Sequence, residues 1–566
     1  MSKDYSFNVM PSVSISRSRF ARKSQHKTCF NLGEIVPIYV DEVLPGDTHS
    51  IDMASLVRMS TPMAPIMDNI YLDFFAFFVP NRLVWDHWKA FMGENETSAG
   101  IPAQSYSVPC VEDPSGAGVS TTTIGDYLGL PLGVIYYNGM PNSTGVKVSA
   151  LPGRGYCLIY NEWFRNQNII APLAIQKGDT NEVLVGDISD AAFFYGDYSC
   201  LVASKIADYF TKALPYAQKG AAVTIPLGTT APIIGASSLH SVGSNGVQFY
   251  SSSSVSQGTM NLYVKGALDS DSSNTFDARI GNKGGVLAPD TSKVTEVTHS
   301  NLVADLSGAT AATINQLRYA FQLQKLLEKD ALYGTRYWEI LASHFGIKAP
   351  DASLQRPEYL GGFRQRINID QVLSTAGYQN NSSTTCGAPG ANSVTGSKGS
   401  LFTKSFTEHG YLFILAVARQ DLTYCQGVNR MWTRKDRFDY YFPVFANLGA
   451  QEIKVKEIYA QGTSDDEGIF GYQEAWAEYR MRPSQCSSYM RPNASYSLGA
   501  WTLAENFASK PTLGQTFIEQ GRGPIKRCLV TGQNSNACDF IADFYFEDIA
   551  VRPMPMYSIP GLIDHH

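Results

Sequence analysis

Apolar and polar positions change rhythm several times along the chain, and each change marks a predicted element. Residues 1–33 carry no helical period, so this Ser-rich, basic stretch reads as an extended N-terminal arm. Residues 34–53 (EIVPIYVDEVLPGDTHSIDM) alternate on either side of Pro45-Gly46-Asp47, which predicts two strands and a turn. YLDFFAFFVP at 71–80 reads as an aromatic strand ended by Pro80, because proline has no N–H for the ladder. Asn81–Gly93 then reads as a short helix, and Gly- and Pro-rich connections fill 97–155.

Residues 221–315 are dominated by Ser, Gly, Thr and Ala, with the run Ser251–Ser254. An insertion of this length is a functional surface structure or a disordered segment. Short β-like stretches such as NLYVKGAL at 261–268 favour a small folded protrusion. A helix follows: Thr313-x-x-Gln316 fits a capping box, Leu317, Phe321, Leu327 and Ala331 recur near the helical period, and Gly334 supplies the stop. TRYWEILASHFG at 335–346 predicts a second helix ended by Gly346. From Leu401 onward strand patterns return at 411–424, at 451–458 (QEIKVKEI, period two) and at 538–555. Strands at both ends, with helices and long loops between them, predict a mainly β protein: one antiparallel sandwich closed by both halves of the chain.

Composition adds a partner. Charged residues make up 17% and aromatics 12%, against roughly 25% charged in an ordinary soluble protein. Interface cores lose charge and gain aromatic residues, so copies of the chain are expected to bury one another. A net charge of −6 excludes a basic nucleic-acid binder in the whole-chain sense. The arm is the exception. Arg17, Arg19, Arg22, Lys23 and Lys27 recur every few residues and can bind phosphates by releasing counterions, without reading bases. A solvated, disordered terminus is the alternative.

No catalytic, cofactor or metal site is expected. GRGPIK at 521–526 starts like a dinucleotide loop, but Lys526 replaces the third glycine. Neither a phosphate-cradling G-x-x-x-x-G-K-[ST] nor a G-x-S-x-G elbow occurs. No histidine pair has i, i+4 spacing, His344 reads as a packing or capping residue, and Asp564-His565-His566 reads as a tail. Glu474 and Glu478 would share a helix face, yet Arg480 and Arg482 beside them suggest an ion-paired cluster. Nine scattered cysteines without C-x-x-C suggest reduced thiols, not a disulfide framework or a thiolate zinc site. MSKDYSFNVMPSVSIS has no apolar signal core, and no apolar run reaches the ~18 residues of a membrane helix, so a soluble chain without membrane insertion is expected.

Eight segments, in order, resemble the gokushovirus major capsid protein family of the Microviridae. They are SRSRF at 16–20, FFVPNRLVWDHWKAFMGEN at 77–95, YNEWFRNQN at 160–168 and DYFTKALPYAQKG at 208–220. Then come AFQLQKLLEKDALYGTRYWEILASHFG at 320–346, LQRPEYLGG at 354–362, GYQEAWAEYRMRPS at 471–484 and RPMPMYSIPGLIDHH at 552–566. The resemblance implies an eight-stranded antiparallel jelly-roll barrel with long inserted loops, assembled through pentamers into the smallest (T=1) icosahedral shell around circular single-stranded DNA. It implies a virion protein assembled in the bacterial host cytoplasm, with an internal scaffolding protein, a minor pilot protein, a small DNA-binding protein and a host surface receptor as further partners. On this basis the chain divides into an arm (1–33), the first part of the barrel (34–224), an insertion forming a three-fold protrusion (225–312) and the second part (313–566). Tyr250, Ser251, Ser252, Ser253, Ser254 and Tyr263 are then candidates for the receptor-facing surface. Two other classes stay open: a carbohydrate-active β-sandwich enzyme using Glu474 and Glu478, and a trimeric phage receptor-binding protein without a shell.

Overall fold

The computed structural model describes residues 15–94, 106–113, 118–134, 145–183, 200–223, 233–235, 248–251, 260–264, 278–280, 297–300, 302–304, 314–375, 386–532, 534 and 537–557. Two compact units result, one from 1–219 with 328–566 and one from 220–327.

The larger unit is built on eight long strands: β1 (Ser18–Phe30), β2 (Ile35–Val43), β3 (Thr48–Met59), β4 (Ile70–Pro80), β5 (Glu358–Arg366), β6 (Val394–Ser405), β7 (Gly410–Gln420) and β8 (Phe540–Arg552). They form two four-stranded antiparallel sheets, ordered β1-β8-β3-β6 and β5-β4-β7-β2. The sheets share one apolar core, in which Phe74 of β4 meets Phe544 of β8 edge-on at 5.9 Å between ring centres. Tyr39 of β2 and Phe546 of β8 lie 5.0 Å apart. Each fully buried large side chain of this kind is worth roughly 1.5–3 kcal/mol. The β2–β3 turn forms where expected: Gly46 takes φ +90° and its N–H donates to the Phe406 carbonyl at 2.8 Å.

Residues 18–30 of the expected extended arm are built into the sandwich. They are a strand, paired residue by residue with β8 from Ser18–Arg552 to Phe30–Phe540. The period of two is present but is written in polar residues: Arg19, Ala21, Lys23, Gln25 and Lys27 are exposed, while Phe20, Arg22, His26, Thr28 and Phe30 are at least partly covered.

A nine-residue helix, α1 (Leu151–Ile159), lies against the outer side of the second sheet and continues as a π-helical turn over Tyr160–Phe164. Gly155 permits the close approach, since a β-carbon there would sit 3.0 Å from the Phe413 ring. Trp163 and Phe164 extend the cover over Phe77 and Phe75. β4 and β7 are consequently buried on both faces, which explains the apolar runs Phe74–Val79 and Leu412–Ala418.

Other predicted elements are modified by side-chain anchors. Asn81–Gly93 is a 3₁₀ turn (Asn81–Leu83) and one α-turn (Trp88–Phe91), separated where buried Trp85 donates its indole N–H to Asp179 at 2.7 Å. Only Gln451–Lys454 of QEIKVKEI is a strand, because the Glu457 carboxylate accepts from the Lys454 N–H at 3.0 Å and starts a helical turn, Val455–Ile458. α2 (Ile314–Tyr333) stops at Gly334 (φ +127°), and the following helical segment stops at Gly346 (φ +70°). A second apolar cluster gathers Phe210, Tyr424, Ile453, Ile458, Phe470 and Phe517.

In the smaller unit, Ala278–Ile280, Met260–Val264, Gln248–Ser251 and Val297–Ser300 form a four-stranded antiparallel sheet in that order, and Ile233–Gly235 pairs with Leu302–Ala304.

Candidate assembly and nucleic-acid surfaces

Strand alternation sorts the five cationic candidates. Arg19, Lys23 and Lys27 point to the outer face of the β1-β8-β3-β6 sheet, and exposed Arg17 lies just ahead of β1. Directly paired residues share a face, so register adds Arg58 of β3 and Lys398 of β6 on the cationic side, with Asp52, Asp543 and Glu547 among them. Lys23 reaches Glu547 at 3.3 Å, which raises its pKa. The face therefore carries a cationic border along β1 beside a mixed centre.

Arg22 points the other way. It pairs with Asp41 and lies 3.3 Å from Asp548, and these partners hold it firmly charged. Asp548 also meets His49 Nδ1 at 3.1 Å and accepts from the Tyr39 hydroxyl at 3.3 Å. Arg552 joins through Asp41 at 3.4 Å and Asp47 at 3.4 Å. Asp41, His49 and Asp548 are the one set among the described residues that could close on a metal ion. Two guanidiniums already supply positive charge there, so the donors suit an ion-pair network better than a cation site.

The second surface was not anticipated from sequence. Residues 430–448 (RMWTRKDRFDYYFPVFANL) fold as three short 3₁₀ turns and leave Trp432 75%, Phe438 63% and Val444 88% exposed, with Met431, Tyr440 and Leu448 also bare. Tyr479, Tyr489 and Tyr496 are exposed as well. Its signal was there to find: dense aromatics with neither a helical nor a strand period. Contiguous bare aromatics mark a contact surface.

The capsid protein (F protein) family matches residues 8–562. The chain is 41% identical to capsid protein VP1 of Bdellovibrio phage phiMH2K, covering 98% of this chain and 97% of the relative. Identity is 38% to capsid protein VP1 of Chlamydia phage 1, covering 98% and 97%, and 34% to capsid protein VP1 of Spiroplasma virus 4, covering 99% and 97%. This chain belongs to the capsid protein family.

A capsid protein is a virion component that self-assembles into a shell, and the remaining clusters fit a structural role. Glu474 and Glu478 do not share a helix face, because Trp476 between them takes φ +64° and only Ala477–Tyr479 forms a 3₁₀ turn. Glu474 pairs with Arg480, and Glu478 pairs with Arg434 at 2.9 Å. A cavity of about 340 Å³ is lined by Glu457, Glu478, Arg430 and Trp432. Burial pushes the Glu457 carboxyl up, while Arg430, 3.9 Å from both carboxylates, opposes the shift. His344 Nε2 meets Asp330 at 2.8 Å. No described helix is long and apolar enough to cross a membrane. Of the receptor-facing candidates, Tyr250 and Ser251 sit on the strand Gln248–Ser251 and Tyr263 on Met260–Val264, opposite Arg279. Ser252, Ser253 and Ser254, like Asp564-His565-His566, lie outside the described residues.

Proposed function

We propose that this chain is the major, non-enzymatic capsid subunit of a small phage, assembling through pentamers into a T=1 shell around circular single-stranded DNA. The orders β1-β8-β3-β6 and β5-β4-β7-β2 support an eight-stranded jelly roll, since strands adjacent in sequence fall in opposite sheets across most of the sandwich. The observation that carries the assembly reading is the bare aromatic stretch 431–448 on a charge-poor chain. Shell formation covers it on every copy.

The cationic border of the β1-β8-β3-β6 sheet, with Arg17, Arg19, Lys23 and Lys27, is the surface we assign to the genome. Arg22 leaves that set and serves the interior of the sandwich. Insertion 225–312 is assigned to the host-facing protrusion, with Tyr250, Ser251 and Tyr263 on its sheet. Assembly in the host cytoplasm, with scaffolding, pilot and small DNA-binding proteins as partners, completes the reading. Electron microscopy of the purified chain under assembly conditions tests it. Closed, uniform particles are expected. Monomers under every condition, or trimers without a lumen, would remove it.

A further inference from the structure

We propose that Cys29 and Cys538 are a paired modification site, placed to close into an intramolecular disulfide when the capsid chain meets an oxidising medium. Their sulfurs lie 2.9 Å apart although 509 positions separate them in sequence, against about 2.05 Å for an S–S bond. Both are free thiols and both are only half-buried, so a small oxidant can reach them.

The surrounding bonds hold the two chain segments in register. Cys29 is the penultimate residue of β1, and its carbonyl accepts from the Tyr127 hydroxyl at 2.7 Å. The Cys538 carbonyl accepts from the Ser60 hydroxyl at 2.5 Å, and the next carbonyl, of Asp539, accepts from the Ser60 N–H at 2.8 Å. The Asp539 carboxylate takes two bonds from Arg522, at 3.0 and 2.9 Å, and a third from the Leu32 N–H at 3.0 Å. Asp539 N–H returns a bond to Asn31 at 3.3 Å. Residues on both sides of Cys29 pair with β8, and Asp539, next to Cys538, is tied back to Asn31 and Leu32, so bond closure orders little that is not already ordered.

The chemistry balances with a low-molecular-weight disulfide such as oxidised glutathione. One cysteine thiolate attacks it and expels one glutathione thiolate; the second cysteine thiolate attacks the mixed disulfide and expels the other. Each cysteine gives up its proton, the protein loses two electrons, and one oxidised glutathione becomes two reduced ones. The product fastens edge strand β1 to the segment leading into β8, where the first and last strands of the sandwich meet.

Burial pushes the Cys538 thiol up to about 12, with Cys29 and Glu34 adding to the rise and Arg522 opposing it. Tyr127 and Asp539, the other ionisable groups facing the pair, are themselves held in hydrogen bonds. Closure is therefore slow at neutral pH and quickens by about tenfold per pH unit as the thiolate fraction grows.

The test is peptide mapping of the full-length chain and of assembled particles after incubation with oxidised glutathione at mildly alkaline pH. Expected is a Cys29–Cys538 linked peptide, lighter than the two parts by two hydrogens, while buried Cys157, Cys200 and Cys528 remain alkylatable on unfolding. The oxidised chain melts higher by about 2–5 °C, a shift reversed by dithiothreitol and missing in Cys29→Ser. If Cys29→Ser fails to fold, the wild-type map alone decides. Recovery of Cys29 and Cys538 as unlinked alkylated residues after prolonged oxidation, or as links between copies, would overturn the proposal.

Discussion

The two sheets of the sandwich have opposite surroundings, with strands of 12–13 residues in one and 9–11 in the other. β1-β8-β3-β6 is covered on one side only, and β3 and β8 at its centre alternate; β8 reads buried at every second residue from Phe540 to Ala550. β4 and β7, at the centre of the other sheet, are buried on both sides beneath α1, Trp163 and Phe164. The difference teaches that outer-face chemistry is free to serve function in the first sheet and is committed to packing in the second. Charged residues collect on the first outer face, and a glycine, Gly155, marks the second.

The comparison can be broken most severely at the doubly covered sheet. Phe413→Ala, in fully buried β7, is expected to cost about 3–5 kcal/mol, whereas Tyr545→Ala on the outer face of the alternating sheet should cost about 0.5 kcal/mol. Urea denaturation of the unassembled chain reads both, and equal losses would erase the distinction. Asp548→Ala tests the inner side of the alternating sheet. It strips partners from Arg22, His49 and Tyr39 and should cost roughly 3 kcal/mol; a loss near zero would mean that the network is dispensable. Gly155→Val drives a methyl into Phe413 and should cost about 1–3 kcal/mol, with the helix lifting from the sheet.

Two smaller effects sharpen the contrast at β1. Burial lowers the His26 pKa below its ordinary 6.5, against a weaker pull from Asp126. A depressed histidine stabilises the fold above the unfolded-state value and loses that contribution as pH falls through the folded one. Below pH 6.5 the urea midpoint should drop, and His26→Gln should flatten that part of the profile. An unchanged slope in the variant would assign the drop to other groups. Replacing Arg17, Arg19, Lys23 and Lys27 by Gln should move stability by no more than about 0.5 kcal/mol while particles retain less DNA and bind it with a shallower salt dependence. Full DNA content would refute the genome-facing assignment.

Much of the sandwich was legible because its rules are local. Aromatic β4, the continuous run of β7, the alternation of β8 and the glycine stops at Gly334 and Gly346 each follow from patterns within one element. β1 was read as an extended arm and not as a strand of the sandwich because its outward residues are cationic and its inward ones include His26 and ion-paired Arg22 beside Phe20 and Phe30. The 451–458 stretch alternates as a strand would, yet one carboxylate, Glu457, turns half of it into helix. The basic candidates were found as a set, but dividing Arg22 from Arg19, Lys23 and Lys27 needed the β1–β8 register, which joins residues more than five hundred positions apart. The exposed 431–448 surface obeys no period at all, so only the folded chain shows that its aromatics stay outside.

The claim on which these readings converge is that the singly covered sheet lines a lumen. A near-atomic electron cryomicroscopy map of the assembled particle measures it directly. The account predicts Arg19, Lys23 and Lys27 on the inner wall beside nucleic-acid density, with residues 431–448 buried between subunits. A map that turned the β1-β8-β3-β6 face to the outside, or left those aromatics bare, would contradict it.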